Sequence, residues 1–96
     1  MPFPLQKYHP FTVIGVGWLP EGQPGVYGIF NAIHCIYIGQ AQDLKAALME
    51  HVTRRSEDSE RIWLYNPTFF QAERISLNSL KNEETRYIQE YRPISG

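Results

Sequence analysis

The sequence predicts a small α/β domain of the α+β type, with a three-stranded antiparallel sheet flanked by helices in the order β-β-α-β-α. Three observations predict it. Two β-branched and aromatic runs, residues 26–30 and 35–38, flank a short polar break. Residues 44–55 and 79–93 repeat apolar side chains at helical spacing. A third apolar run, residues 69–75, lies between those helices.

Taken in order, Pro2, Pro4, Pro10, Pro20 and Pro24 punctuate the first quarter of the chain. Residues 11–18 read as a strand interrupted by Gly15 and Gly17, and residues 21–25 as a turn. Residues 26–30 and 35–38, joined through Asn31-Ala-Ile-His34, read as a β-hairpin. A turn centred near Ala32 sets Tyr27 opposite Tyr37, both on one face because strand side chains alternate. After a short loop at 39–42, Asp43 is placed to cap the helix over 44–55, with Leu44, Ala47, Leu48, His51 and Val52 on one face. Residues 56–59 break that helix, and residues 61–65 fit either a strand or a helical turn. Asn66-Pro67 is a turn, and residues 69–75 form the third strand. In the last helix Leu80, Glu84, Tyr87, Ile88 and Tyr91 share a stripe.

The chain has 96 residues, the size of one domain. Its 43% hydrophobic and 20% charged content is that of a globular protein. Nine Lys and Arg against ten Asp and Glu give a net charge of −1, which excludes a strongly basic nucleic-acid coat but permits a small local patch. One cysteine, Cys35, cannot close an internal disulfide or make a Cys-rich zinc site. His9, His34 and His51 are not at ligand spacing. No apolar run approaches the ~18 residues of a membrane span, and the first residues do not read as a signal peptide. A cytoplasmic location is therefore expected, without membrane association.

Two residues stand out on chemistry alone. Glu84 sits on a core-facing stripe, and an unpaired buried carboxylate costs several kcal/mol, so it needs a cation, a metal or hydrogen-bond partners. His51 faces inward from the other helix, where a satisfied boundary histidine is the simplest reading. Tyr27 and Tyr37 taken alone read as a packing pair, and Tyr65, Tyr87 and Tyr91 as packing residues.

Together these residues form a pattern. Gly25-Val26-Tyr27, with Tyr37-Ile38-Gly39 following, resembles the paired signature of the GIY-YIG nuclease family. Gln40-Ala-Gln-Asp-Leu-Lys45 resembles that family's loop into its first helix, and His51 falls where many members carry a helix histidine. The stretch from Glu84 to Pro93 resembles the closing helix, whose glutamate precedes a proline by the same interval. The resemblance spans residues 24–93, within one domain over 1–96 whose residues 1–23 are an N-terminal extension.

The resemblance implies a phosphodiesterase that cuts DNA with one divalent ion, Mg²⁺ or Mn²⁺. It implies that Glu84 binds the metal and that Tyr27 activates the attacking water or acts as general base. Tyr37 would orient the phosphate or the water, and His51 would assist by hydrogen bonding. A hard cation held by one carboxylate, waters and substrate phosphate suits Mg²⁺. A phenol is a poor base at neutral pH unless a nearby cation favours its anion.

One position departs from the family. Where members carry a phosphate-contacting arginine, four residues before the histidine, this chain has Ala47. Losing such a contact typically costs on the order of 10²–10³ in rate, so cleavage is expected to be impaired or lost. A degenerate relative, an introduced substitution and compensation by another cation all account for Ala47. As compensating groups, Arg54 and Arg55 fall on the same helix face, but ~10–12 Å along its axis, and Lys45 points about 160° away. Members also carry an asparagine where this chain has Gly96. Lys45, Arg54, Arg55 and Arg61 form the expected nucleic-acid-binding edge, although interleaved acids also fit a solvated face. Specificity is expected to come from a partner protein or from oligomerisation. The alternative function is a non-catalytic nucleic-acid- or protein-binding module on a degenerate nuclease fold.

Overall fold

The computed structural model describes residues 8–95. Residues 1–7, the start of the expected N-terminal extension, and Gly96 lie outside them. The elements run β1 (Tyr8–Pro10), α1 (Val13–Gly17), β2 (Gly25–Phe30), β3 (Cys35–Ala41), α2 (Leu44–Val52), α3 (Ser59–Trp63), β4 (Phe69–Arg74) and α4 (Leu80–Tyr91). The sheet is antiparallel, in the order β1-β4-β2-β3. The expected class holds, with four strands rather than three. The added strand, β1, ends on Pro10 and pairs only with β4. It is an edge position where a proline costs no ladder bond, and it is too short to show alternation.

Residues 11–18 are not a strand. Thr12 Oγ1 accepts from Gly15 N–H at 2.9 Å and caps α1. Phe11, Gly15 and Val16 are buried while Val13 and Ile14 are exposed, which is helical spacing. Gly15 is obligatory, because a Cβ there would stand 2.0 Å from the Pro10 carbonyl oxygen. The ambiguous residues 61–65 fall largely in α3.

The sheet has an apolar core on each face. Val26, Phe30 and Ile38 pack with Leu80 and Tyr87 of α4. Tyr27, Ile29, Phe70 and Ala72 point the other way, to Val16, Leu44, Leu48 and Ile62 of the other helices. The middle strand is clamped on both sides. A Cβ on Gly25 would lie 2.1 Å from the Glu73 carbonyl oxygen of β4 and 2.7 Å from Leu44 Cδ1. The first glycine of the motif therefore lets β4 and the start of α2 close on β2.

Asp43 caps α2 as expected, accepting from Ala46 N–H at 3.2 Å, but the helix ends at Val52 rather than near Arg55. Arg55 N–H bonds to Glu50 C=O at 2.8 Å and Arg54 N–H to His51 C=O at 3.2 Å, with Arg54 left-handed at φ 60°. This is a Schellman ending without its usual glycine. The Arg54 guanidinium lies 4.5 Å above the Trp63 ring, which helps hold that conformation. Arg54 and Arg55 thus leave the helix and do not share a helical face with Ala47. Among the described residues no helix is long and apolar enough to cross a membrane.

Gly25→Ala is expected to destabilise the domain by about 3 kcal/mol, the upper end of ordinary overpacking, because backbone rather than a movable side chain blocks the new methyl. Urea unfolding of the two proteins measures it.

Candidate functional site

The hairpin register differs from the expected one. Tyr27 pairs with Gly39 and Ile29 with Tyr37, and the register shifts at the Ile29/Phe30 step. The tyrosines are diagonal rather than opposite neighbours, but they share the face beneath α2, with ring centroids 6.1 Å apart. The cause lies near the turn: Phe30 pairs with Cys35, so Ile36 is the extra residue of a bulge. The displacement also explains the last glycine of the motif. The Tyr27 ring lies across Gly39, where a Cβ would stand 2.6 Å from both Cζ and Oη.

His51, in the last turn of α2, is buried, and its Nε2 lies 2.8 Å from Tyr27 Oη. Its Nδ1 lies 3.0 Å from Ser56 Oγ and 3.3 Å from Ser59 Oγ. The two serine hydroxyls are 2.7 Å apart, and Ser59 donates to Glu50 C=O at 3.4 Å. The hydroxyl and ring protons are assigned from this network, starting at the Glu50 carbonyl, which can only accept. Ser59 gives its proton to Glu50, Ser56 to Ser59, and Nδ1–H to Ser56. Nε2 is then the bare nitrogen, and Tyr27 donates to it.

Tyr37, half-buried, donates to Asp58 Oδ2 at 3.1 Å. The other oxygen of that carboxylate accepts from Arg61 Nη2 at 2.6 Å. Glu84 is half-buried on α4, across the edge strand β3. Gln40 Nε2 donates to its Oε1 at 2.9 Å. Glu84 thus has the hydrogen-bond partner that the sequence required of it, but it is not buried in the core as its stripe suggested. It belongs to the sheet edge, with a polar side chain as partner.

The electrostatics separate the two phenols from the imidazole. Burial pushes Tyr27 far above the ordinary phenol range, and Tyr37 and the Asp58 and Glu84 charges add to it. Tyr37 is pushed up to about 12, by burial first and by Asp58 next. Burial lowers His51 below 6.5, against the pull of Asp58 and Glu50. Asp58 is held below the usual carboxylate range by its bonds from Arg61 and Tyr37. Near neutral pH the phenols keep their protons, and the group able to take one is His51 Nε2.

Ala47 lies one turn before His51, half-buried against the same core. The four cations named from the sequence have separate surroundings. Lys45 faces Glu21 at 3.8 Å, Arg54 covers Trp63 and Arg55 is exposed. Arg61 is tied through Asp58 to Tyr37. Sequence reasoning missed Asp58, Ser56, Ser59 and Gln40. The first three lay in what read as a polar helix break, and the last in a loop. Nothing local distinguishes them, because the His51, Tyr37 and Glu84 side chains they bond lie 5–44 residues away in the chain.

Among the described residues, no group of three or more His, Cys, Asp and Glu could hold a metal ion. Of the acids named for the site, Glu84, a half-buried residue, is the one a divalent ion would rest on. A single carboxylate completed by waters and a phosphate is a donor set that suits Mg²⁺ better than a softer ion.

A His51 pKa below 6.5 means that the unfolded chain binds more protons between the two values, so stability rises with pH across that window. Unfolding free energy is expected to fall as pH drops from 6.5 through the folded value. His51→Gln should remove that loss, as read by urea unfolding against pH, with the imidazole followed by NMR.

No protein-family model and no curated protein matches the chain. Solved structures do. The magnesium-bound GIY-YIG N-terminal endonuclease domain of UvrC from Thermotoga maritima superposes at TM-score 0.73 with 25% identity, over 88% of this chain and 94% of that one. A point mutant of the same domain, bound to its catalytic divalent cation, gives TM-score 0.73 and 25% identity over 88% and 93%. With its motif tyrosines on one face, the helix histidine bonded to one of them and the closing-helix glutamate at the sheet edge, this chain has the fold of GIY-YIG endonuclease domains, the family its sequence resembles.

Proposed function

We propose that residues 24–93 form the core of a GIY-YIG-type DNA endonuclease domain that hydrolyses phosphodiester bonds with one divalent ion, Mg²⁺ or Mn²⁺, and that Ala47 impairs it. The observation that carries this reading is the 2.8 Å bond from Tyr27 to His51, backed by a one-way hydrogen-bond chain. Any buried tyrosine needs a partner for its hydroxyl, and Tyr87 has one in Glu73. What sets Tyr27 apart is that its partner is an imidazole, a group that can take the proton. The solved relatives, which are endonuclease domains with a catalytic cation, support it.

Glu84 would hold the metal, which when bound supplies charge neutralisation at the phosphate and polarises water. Tyr27 accepts a hydrogen bond from the attacking water on its free lone pairs. As the water oxygen bonds to phosphorus, the P–O bond to the leaving sugar oxygen breaks and that oxygen takes a proton from solvent. The water's proton passes to Tyr27 Oη while the phenol proton passes to His51 Nε2. His51 ends as imidazolium, and Tyr27 remains neutral throughout. This route avoids a free tyrosinate, which burial and the neighbouring carboxylates oppose. Tyr37 orients the phosphate or the water by its hydroxyl. In this reading DNA is the substrate, a partner protein or a second copy supplies specificity, and the chain works in the cytoplasm.

The second reading, a binding module on a degenerate fold, is favoured by Ala47. No arginine stands at the helix position that would neutralise the phosphate, although the geometry around it is intact.

Plasmid nicking separates the two. Ala47→Arg is expected to nick supercoiled DNA on the order of 10²–10³ faster than the unaltered chain, in Mg²⁺ or Mn²⁺ only. Its rate should rise with pH through the His51 titration and show no break near 10. Inertness of both proteins on single- and double-stranded DNA would reject the enzyme reading, and salt-sensitive gel shifts would then support nucleic-acid binding.

Replacing the base is a separate test. His51→Ala in the Ala47→Arg background is expected to lower nicking by about 10²-fold or more. The acid limb of the pH profile should disappear with it.

A further inference from the structure

The Asp58 carboxylate has two partners of different origin. Arg61, three residues on, is an ordinary surface pair, 59% exposed at its side chain, and such pairs contribute little to stability. Tyr37 is a motif residue from the far side of the hairpin. One carboxylate oxygen faces each, at 2.6 Å and 3.1 Å. Two oxygens on one atom, bridging a guanidinium and a phenol hydroxyl, is also what a phosphate presents along one O–P–O edge. Asp58 stands at the start of α3, where its carbonyl accepts from Ile62 N–H at 3.1 Å, but its side chain caps nothing, and that side chain is 40% exposed.

Resting on the nuclease reading above, we propose that Asp58 holds the seat of the substrate phosphate. DNA displaces it, and the phosphate then bridges Tyr37 and Arg61, so that Arg61 supplies from α3 the cation that α2 lacks at Ala47. The resting carboxylate also keeps the arginine turned toward the phenol while the site is empty of DNA. This contact restrains the site, because an acid at a phosphate seat repels the substrate until it swings away.

The inference gives a gain on removal, which a merely structural residue would not. Binding of a fluorescein-labelled duplex is measured by anisotropy in EDTA, so the result does not depend on cleavage. Asp58→Ala is expected to bind about tenfold tighter than the unaltered chain, from one exposed ion pair and one hydrogen bond released. Asp58→Asn should bind tighter as well, by a smaller factor. Arg61→Gln added to Asp58→Ala should abolish the gain. Glu57→Gln, which removes the same charge from the neighbouring residue, should change affinity by less than half as much on a logarithmic scale. The proposal is overturned if Asp58→Ala binds no tighter, if the gain survives Arg61→Gln, or if Glu57→Gln matches it. In nicking assays Asp58→Ala should exceed the unaltered chain, and Arg61→Gln should reverse that. If none of these variants nicks, including Ala47→Arg, the endonuclease reading fails while the affinity ranking still decides the phosphate seat.

Discussion

The hydrogen bond from Tyr27 to His51 is the constraint on which the rest of this structure depends. It joins the central strand β2 to the end of α2, and it forms only if several separate features agree. Gly25 must admit the Glu73 backbone and Leu44 so that α2 lies against the sheet. Gly39 must leave the space that the Tyr27 ring crosses. The helix must end one residue after His51, so that the following loop can turn back and set Ser56 and Ser59 against Nδ1. The indole N–H of Trp63, bonded to His51 C=O at 2.9 Å, pins α3 to the same turn. Each feature is a packing or backbone matter, yet together they fix the tautomer of one imidazole.

The parts of this arrangement that were legible in the sequence are those with local periodicity or a spaced motif. The hairpin, the start of α2 at Asp43, β4 and α4 all follow from patterns contained within a few residues. The placement of Tyr27 and Tyr37 on one face survived a wrong register, because the true register moved them by an even number of positions. What was not legible depended on contacts distant in sequence. The strand read over 11–18 is a helix because Thr12 caps it and Gly15 meets Pro10. The end of α2 was misplaced because an arginine holds the left-handed position where a glycine would have announced it. Asp58 looked like one more acid in a polar break, and only the fold brings Tyr37 to it.

Charge in this site runs against the simple picture of an activated tyrosine. A phenol becomes a base near neutral pH only beside a cation. Here Tyr27 is buried and within reach of the Asp58 and Glu84 charges, and its pKa moves upward. The imidazole moves the other way, staying neutral because it is buried. In the proposed reaction the pair divides the work, the phenol offering its oxygen to the water and the histidine offering a vacancy for the proton behind it. Ser56 and Ser59 belong to this division, because they decide which nitrogen is vacant.

Ala47 shows that geometry and charge at this site are separable. Alanine is the best helix former, and its methyl packs against the sheet-side core, so its presence in place of an arginine places no strain on α2. The helix can thus carry His51 into place with no phosphate contact at all. Any cation that acts in its stead must come from an element that independently reaches the phenols. Lys45 and Arg54 are taken up by Glu21 and Trp63. Arg61 stands one carboxylate away from Tyr37, held there by the group that a phosphate would replace.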